Sequence, residues 1–375
     1  MRRRTFISAL SAMAPGALAA GAGAAAAGRA LAGPRAVDST AVAGATGPYG
    51  GDAALWAAAA AGWDDGLAHP IPYTPKPGAG LDRGLVLSGG GMYMLSFHAG
   101  YLGELQAQGI DLTTADIVVG TSVGATIGAM LLSGQFAAMT QELDALGEFP
   151  WIFAKLIPNA HPNPSQIRGK EAAVNANAYT PAMVQSIGRA ALAANNPSGP
   201  EQYHRVIGEM LGITEWPSPK LHFTTNDCFT GERLVMNSAS GVPLDVACAA
   251  SGSLPGQMGP TWVKNRACMD GAMSCTNTHA DVVAGVKRAL IISLTDGGPE
   301  AVKAHLTNIG IPNSLEQEIA YLEAGGTKTM LVVAGLLPGE TEITSNLDPA
   351  YILPVMAYGK QRATEDADRI KAFWA

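Results

Sequence analysis

The clearest pattern along the chain is a short apolar run that stops at glycines and gives way to apolar positions at helical spacing. Leu85-Val86-Leu87 ends at Ser88-Gly89-Gly90-Gly91, and Leu95, His98, Leu102 and Leu105 then recur every three or four residues up to Gly109. The run predicts a buried strand, the recurrence a helix, and Gly109 its stop. The cycle repeats at once with Ile117-Val118-Val119, a turn from Gly120 to Gly124, and a helix through Ile127, Met130 and Leu131 to Gly134. Two strand-turn-helix units in succession predict parallel strands with helical crossovers, an α/β sheet. Leu221 to Thr225, Leu234-Val235-Met236, Leu290-Ile291-Ile292 and Met330 to Val333 are further strand candidates, and Arg266 to Met269 reads as a strand ending at Asp270.

Elsewhere the pattern weakens. Residues 135–215 are rich in Pro and Asn around Pro158 to Pro164 and Asn195 to Pro200, which predicts an irregular insertion of lid or substrate-facing loops. Phe149 to Pro158 is the most apolar stretch outside the sheet, and its Trp and Phe suit either a lipid interface or ordinary core packing. Residues 33–80 read as an extension, with a short helix around Trp56 and Trp63 and a Pro-punctuated linker, leaving 81–375 for the main domain. Leu336 to Ala375 carries no recognisable motif.

Composition narrows the partners. The chain has 375 residues, 47% hydrophobic and 15% charged, enough for a large core and not the balance of a disordered chain. Net charge is -7, with no Lys/Arg cluster after the first four residues, so nucleic acid is not an expected partner. Residues 1–32 join a charged start, an Ala- and Gly-rich middle and Ala30-Leu31-Ala32, the organisation of a signal peptide. Arg3-Arg4 followed by Phe6 resembles a twin-arginine export signal, with a Sec signal or a retained anchor as alternatives. The expected location is outside a bacterial cytoplasm: periplasm, cell envelope or medium. Cys228, Cys248, Cys268 and Cys275 include no C-x-x-C pair, so no zinc site is expected, and they are either buried thiols or one or two disulfides.

Three segments carry candidate chemistry. Gly120-Thr121-Ser122-Val123-Gly124 fits G-x-S-x-G, a strained strand-to-helix turn that lifts a serine hydroxyl out of the backbone. With 45 Gly in the chain the pattern alone is weak, but here it sits between an apolar strand and a helix, where the geometry requires it. Gly89-Gly90-Gly91 closes the preceding strand and can turn backbone N–H groups toward one point, as an oxyanion hole requires. The loop lacks the Gly-Lys-Ser/Thr of a phosphate loop, and Met94 and Ser96 exclude a dinucleotide fingerprint. Asp270-Gly271-Ala272 places a carboxylate on a later turn, which taken alone reads more readily as a surface type I turn.

In order and separation these segments resemble the patatin-like phospholipase family: glycine loop, G-x-S-x-G serine, then a distant D-G-A aspartate. Ala250 to Gly256 and Thr225 to Glu232 resemble two further blocks of that family, so the likeness spans about residues 82 to 295. It implies a three-layer α/β/α sandwich with a mostly parallel central sheet, Ser122 as nucleophile and Asp270 as its base. It also implies an oxyanion hole from N–H groups of Gly89, Gly90, Gly91 and Val123, with Gly120, Gly124 and Gly271 as motif glycines. The substrate would be a lipid or other ester met in transient contact with a membrane surface, with no metal or cofactor. One departure stands out: where the family has Arg or Lys then Gly after the loop, this chain has Met92-Tyr93-Met94, and Tyr93 either faces substrate or packs in the core. Two other readings stay open, a Ser-His-Asp esterase using His279, at the start of a helix over Thr278 to Val286, or His305, and a non-catalytic lipid-binding protein on the same fold. Transfer of the acyl group to an acceptor other than water is a third.

Overall fold

The computed structural model describes residues 65–150, 162–197, 199–298, 300–304, 306–307 and 309–375. The signal over 1–32, the extension as far as 64, His305 and the segment from Trp151 to His161 lie outside the described residues.

Eight strands form one sheet: β1 (Arg83–Leu87), β2 (Ile117–Thr121), β3 (Leu221–Asp227), β4 (Arg233–Met236), β5 (Thr261–Val263), β6 (Arg266–Asp270), β7 (Arg288–Ser293) and β8 (Lys328–Val333). The order is β5-β6-β3-β2-β1-β7-β8, with β4 also on β3. The block β3-β2-β1-β7-β8 is parallel, while β4 and β6 run antiparallel to β3. β2 and β3 are buried along their whole length, because layers cover both faces and a two-sided strand has no polar side to show.

On one face lie α1 (Gly91–Ala107), α2 (Val123–Leu132), α3 (Phe136–Gly147) and α9 (Ile352–Trp374), meeting the sheet through Leu85, Leu87, Val118 and Leu290. On the other, Val86, Val119 and Ile291 pack on a 3-10 turn (Ala280–Val283) and α8 (Leu315–Ala324). The result is a three-layer α/β/α sandwich with a mostly parallel central sheet.

Register positions the site. β4 covers one edge of β3 over Phe223 to Asn226, so β2 and β6 divide the other edge between them. Thr121 at the end of β2 pairs with Thr224, and Asp270 at the end of β6 pairs with the next residue, Thr225. Two strands that arrive from opposite directions therefore finish head to head, and whatever follows Thr121 meets Asp270.

Three expectations are corrected. Residues 135–215 are mostly helical where described: α3, then α4 (Pro164–Val174), α5 (Pro181–Ala193) and α6 (Gly199–Leu211). Asn163 and Pro164, which suggested a loop, start a helix, whereas Asn195 and Asn196 lie between α5 and α6. Asn163 caps α4 in a capping box with Gln166, Thr180 caps α5, and Pro164 and Pro181 occupy the first helical position, where no N–H is missed. The helix expected over Thr278 to Val286 is a single 3-10 turn; the Glu318 carboxylate accepts from Ala280 N and Thr278 Oγ1, and Gly285 at φ 96° ends it. The uninterpreted tail contains α9, whose buried Ile352, Val355, Met356, Gly359, Ala363, Ala367, Ile370 and Trp374 form one stripe at helical spacing.

Candidate active site

Ser122 sits between the last residue of β2 and the first of α2, with φ 54° and ψ -124°. Positive φ on a serine costs roughly 1–3 kcal/mol and needs surrounding structure to hold it. That structure is present. Ser122 N donates to Ser251 Oγ at 2.8 Å, and Ala125 N donates to Ser122 O at 2.9 Å. Gly124 lets α2 lie against β1, since a Cβ there would stand 2.0 Å from Leu87 O, and Gly120 packs against Gly124 across the turn.

Ser122 Oγ donates to Asp270 Oδ2 at 2.7 Å. Asp270 is 1% exposed, and its Oδ1 accepts from Ala272 N at 2.8 Å. Burial pushes its pKa up to about 7, with the hydrogen bonds from Ala272 and Ser122 pulling the other way. Backbone contacts fix the carboxylate: Asp270 N donates to Ser253 O, Gly271 N to Ser251 O, and Asn226 Nδ2 to both Asp270 O and Gly271 O. One short helix, α7 (Leu244–Ser251), and the turn after it thus brace both residues, through Ser251 Oγ on one side and the carbonyls of Ser251 and Ser253 on the other.

The glycine loop lies across from them. Gly90 at φ 144° and Gly91 at φ 60° turn the chain into α1, whose first N–H groups have no partner within the helix. Gly90, Gly91, Ser122 and Asp270 line one small cavity of about 40 Å³. Val123 N–H is likewise the first of α2. Gly89 departs from the expected donor set, because Asn277 takes its peptide at both ends: Gly89 N donates to Asn277 Oδ1 at 3.1 Å, and Asn277 Nδ2 donates to Gly89 O at 3.2 Å. Tyr93 resolves to the core, buried, its hydroxyl donating to Gly335 O at 3.0 Å.

No histidine completes a triad among the described residues. His279 Nε2 donates to Gly271 O at 2.9 Å, while Nδ1 faces Arg233 Nη1 at 3.4 Å, an arrangement that fixes the proton on Nε2. Burial and then the Arg233 charge push its pKa down to about 3, so it is a neutral support for the loop carrying Asp270. Arg233 is itself paired with buried Asp281 at 2.8 Å. Ser251, Asn277 and Asn226 are the residues that sequence reasoning missed, while His279, a candidate triad member there, supports the loop instead. Ser251 lies in a block that the family likeness had marked, whereas Asn277 sits in a plain Thr-Asn-Thr run.

Among the described residues no group of three or more His, Cys, Asp or Glu could hold a metal ion, and no helix is long and apolar enough to cross a membrane. A family model described as patatin-like phospholipase matches residues 85–283, more than half of the chain. Among solved structures the chain is similar to VipD from Legionella pneumophila, at 14% identity and a TM-score of 0.37, covering 77% of this chain and 67% of that one. It is also similar to the type III effector protein ExoU, at 16% identity and a TM-score of 0.29, covering 80% of this chain and 56% of that one, so it spans less than two thirds of ExoU. No curated protein matches the chain.

Proposed function

Because the chain belongs to the patatin-like phospholipase family, we propose that it hydrolyses carboxylic esters of phospholipids or related lipids with Ser122 as nucleophile and Asp270 as base. The observation that carries this reading is the 2.7 Å hydrogen bond from Ser122 Oγ to a carboxylate that burial has moved up to about 7. A base works best when its pKa lies near the working pH. An ordinary aspartate is too weak for this task.

In the proposed sequence Asp270 takes the hydroxyl proton as Ser122 Oγ bonds to the ester carbonyl carbon. N–H groups of Gly90, Gly91 and Val123 hold the resulting oxyanion, each worth about 3–4 kcal/mol in the transition state. The tetrahedral species collapses by breaking the bond to the alcohol, which leaves with the proton from Asp270. Water then attacks the acyl-serine, gives its proton to Asp270, and the fatty acid departs as Ser122 recovers its own. Catalysis outside the cytoplasm, after twin-arginine export directed by Arg3-Arg4 and Phe6, is part of the proposal, as is brief contact with the lipid surface that supplies substrate.

A soluble ester tests the chemistry without a membrane. With 4-nitrophenyl butyrate, Ser122→Ala and Asp270→Asn are expected to lower kcat by about 10³-fold or more at unchanged fold, judged by circular dichroism. In the wild type, kcat/KM should rise with pH through about 7 as Asp270 ionises. A Ser122→Ala protein as active as the wild type would end the hydrolase reading and favour a lipid-binding role.

A further inference from the structure

The cavity at the dyad, about 40 Å³, has room for little beyond a scissile ester, and among the described residues Asp270 is the one charged side chain on its walls. It shares Leu254, Met273, Thr307, Ile309 and Asn346 with a neighbouring pocket of about 450 Å³, a volume within the range of small-ligand sites. The walls of that larger pocket are apolar or neutral with one exception. Among the described residues Lys170 on α4 is its only charged lining residue, one helical turn before Ala173 and Val174, which line it too.

Lys170 is half-buried, and no salt bridge to it is present among the described residues. Burial lowers its pKa. An acyl chain filling the pocket would strip more water from this ammonium and return nothing, and an uncompensated buried charge costs several kcal/mol. An anion instead forms charge-assisted hydrogen bonds with it. Thr344 and Ser345 line the same pocket, and each carries a hydroxyl, a neutral donor.

We infer that the larger pocket binds the anionic part of the ester substrate, the phosphate of a glycerophospholipid head group, with Lys170 as its counter-charge. This rests on the hydrolase reading for the word substrate, but not for the anion site itself. It also accounts for a glycine loop without a cation: Tyr93, two residues beyond Gly91, is packed into the core, and the positive charge comes from α4.

The test compares dihexanoylphosphatidylglycerol, which carries the phosphate, with dihexanoylglycerol, which lacks it, both below their aggregation limits. The ratio of kcat/KM for the first over the second is expected to fall about 10- to 100-fold in Lys170→Met, through KM, and to stay within about threefold of wild type in Lys170→Arg. An unchanged ratio in Lys170→Met overturns the inference. Calorimetric binding of dihexanoylphosphatidylglycerol to Ser122→Ala protein, with and without Lys170→Met, reads the site without turnover and is expected to weaken by a similar factor. Binding that depends on Lys170 without hydrolysis of either ester would keep the anion site and remove the hydrolase reading. Hydrolysis indifferent to Lys170 would do the reverse.

Discussion

Removing Asp270 from water raises its pKa to about 7, whereas in the unfolded chain it titrates near 3.8. Below about pH 3 the carboxyl is protonated in both states and contributes no penalty. As pH rises from there through 7, the unfolded chain ionises first, so the burial of Asp270 increasingly disfavours the folded state, by up to about 4 kcal/mol above pH 7. Asp270→Asn removes that titration while keeping the shape. Its melting temperature is therefore expected to match the wild type near pH 3 and to exceed it by several degrees at pH 8, measured by scanning calorimetry. Glu318, also raised to about 7 by burial, titrates in both proteins and cancels in the comparison. A difference that shrinks as pH rises would contradict the assigned shift. Ser122 and Asp270 were legible in the sequence because each lies in a short motif whose chemistry constrains its neighbours. The supports were not: Asn277 reaches Gly89 across 188 residues, and no local pattern encodes such a distance.

At the scale of elements, continuous apolar runs announced the parallel strands, since strands covered on both faces have nothing polar to interrupt them. The three-residue β5 left no such run, its middle residue Trp262 being half exposed. Helices α4 and α5 were misread because capping Asn, Thr and Pro also make turns, and only the residues after them tell the two apart. The stripe of α9 was readable but carries no chemistry to draw attention. Its partner is α1, and the two helices cross so closely that a Cβ at Gly100 would stand 2.1 Å from the backbone oxygen of Met356. At Gly103, one turn later in α1, a Cβ would meet nothing within 4 Å. The same substitution should thus have opposite signs at the two positions. Gly103→Ala is expected to raise stability by about 0.5–1 kcal/mol through helix propensity. Gly100→Ala is expected to lower it by about 1–3 kcal/mol, because the backbone it strikes can yield only by moving a helix. Urea unfolding midpoints check both, and equal effects would mean that α1 and α9 are not packed this closely.

For the whole molecule, the three layers close around a core that leaves all four cysteines inside as free thiols: Cys228, Cys248, Cys268 and Cys275. Their fate was not legible in the sequence, since pairing depends on how far apart the fold places their Cβ atoms. Long-range ties come instead from ions. Arg266, fully buried, joins Asp65, Asp227 and Glu232 at 2.7 to 3.1 Å, linking the start of β6 to the segment before β1. A fold held this way does not depend on an oxidising compartment. Thiol chemistry tests it. Burial pushes Cys248 and Cys275 up to about 12 and raises Cys228 and Cys268 as well, and the thiolate is the form that reacts. At pH 8 native protein prepared without reductant is expected to be inert toward Ellman's reagent over minutes, to release four equivalents in guanidinium, and to melt at the same temperature with or without dithiothreitol. Two equivalents in guanidinium would reveal a disulfide, and rapid reaction of the native protein would mean that at least one thiol reaches the surface.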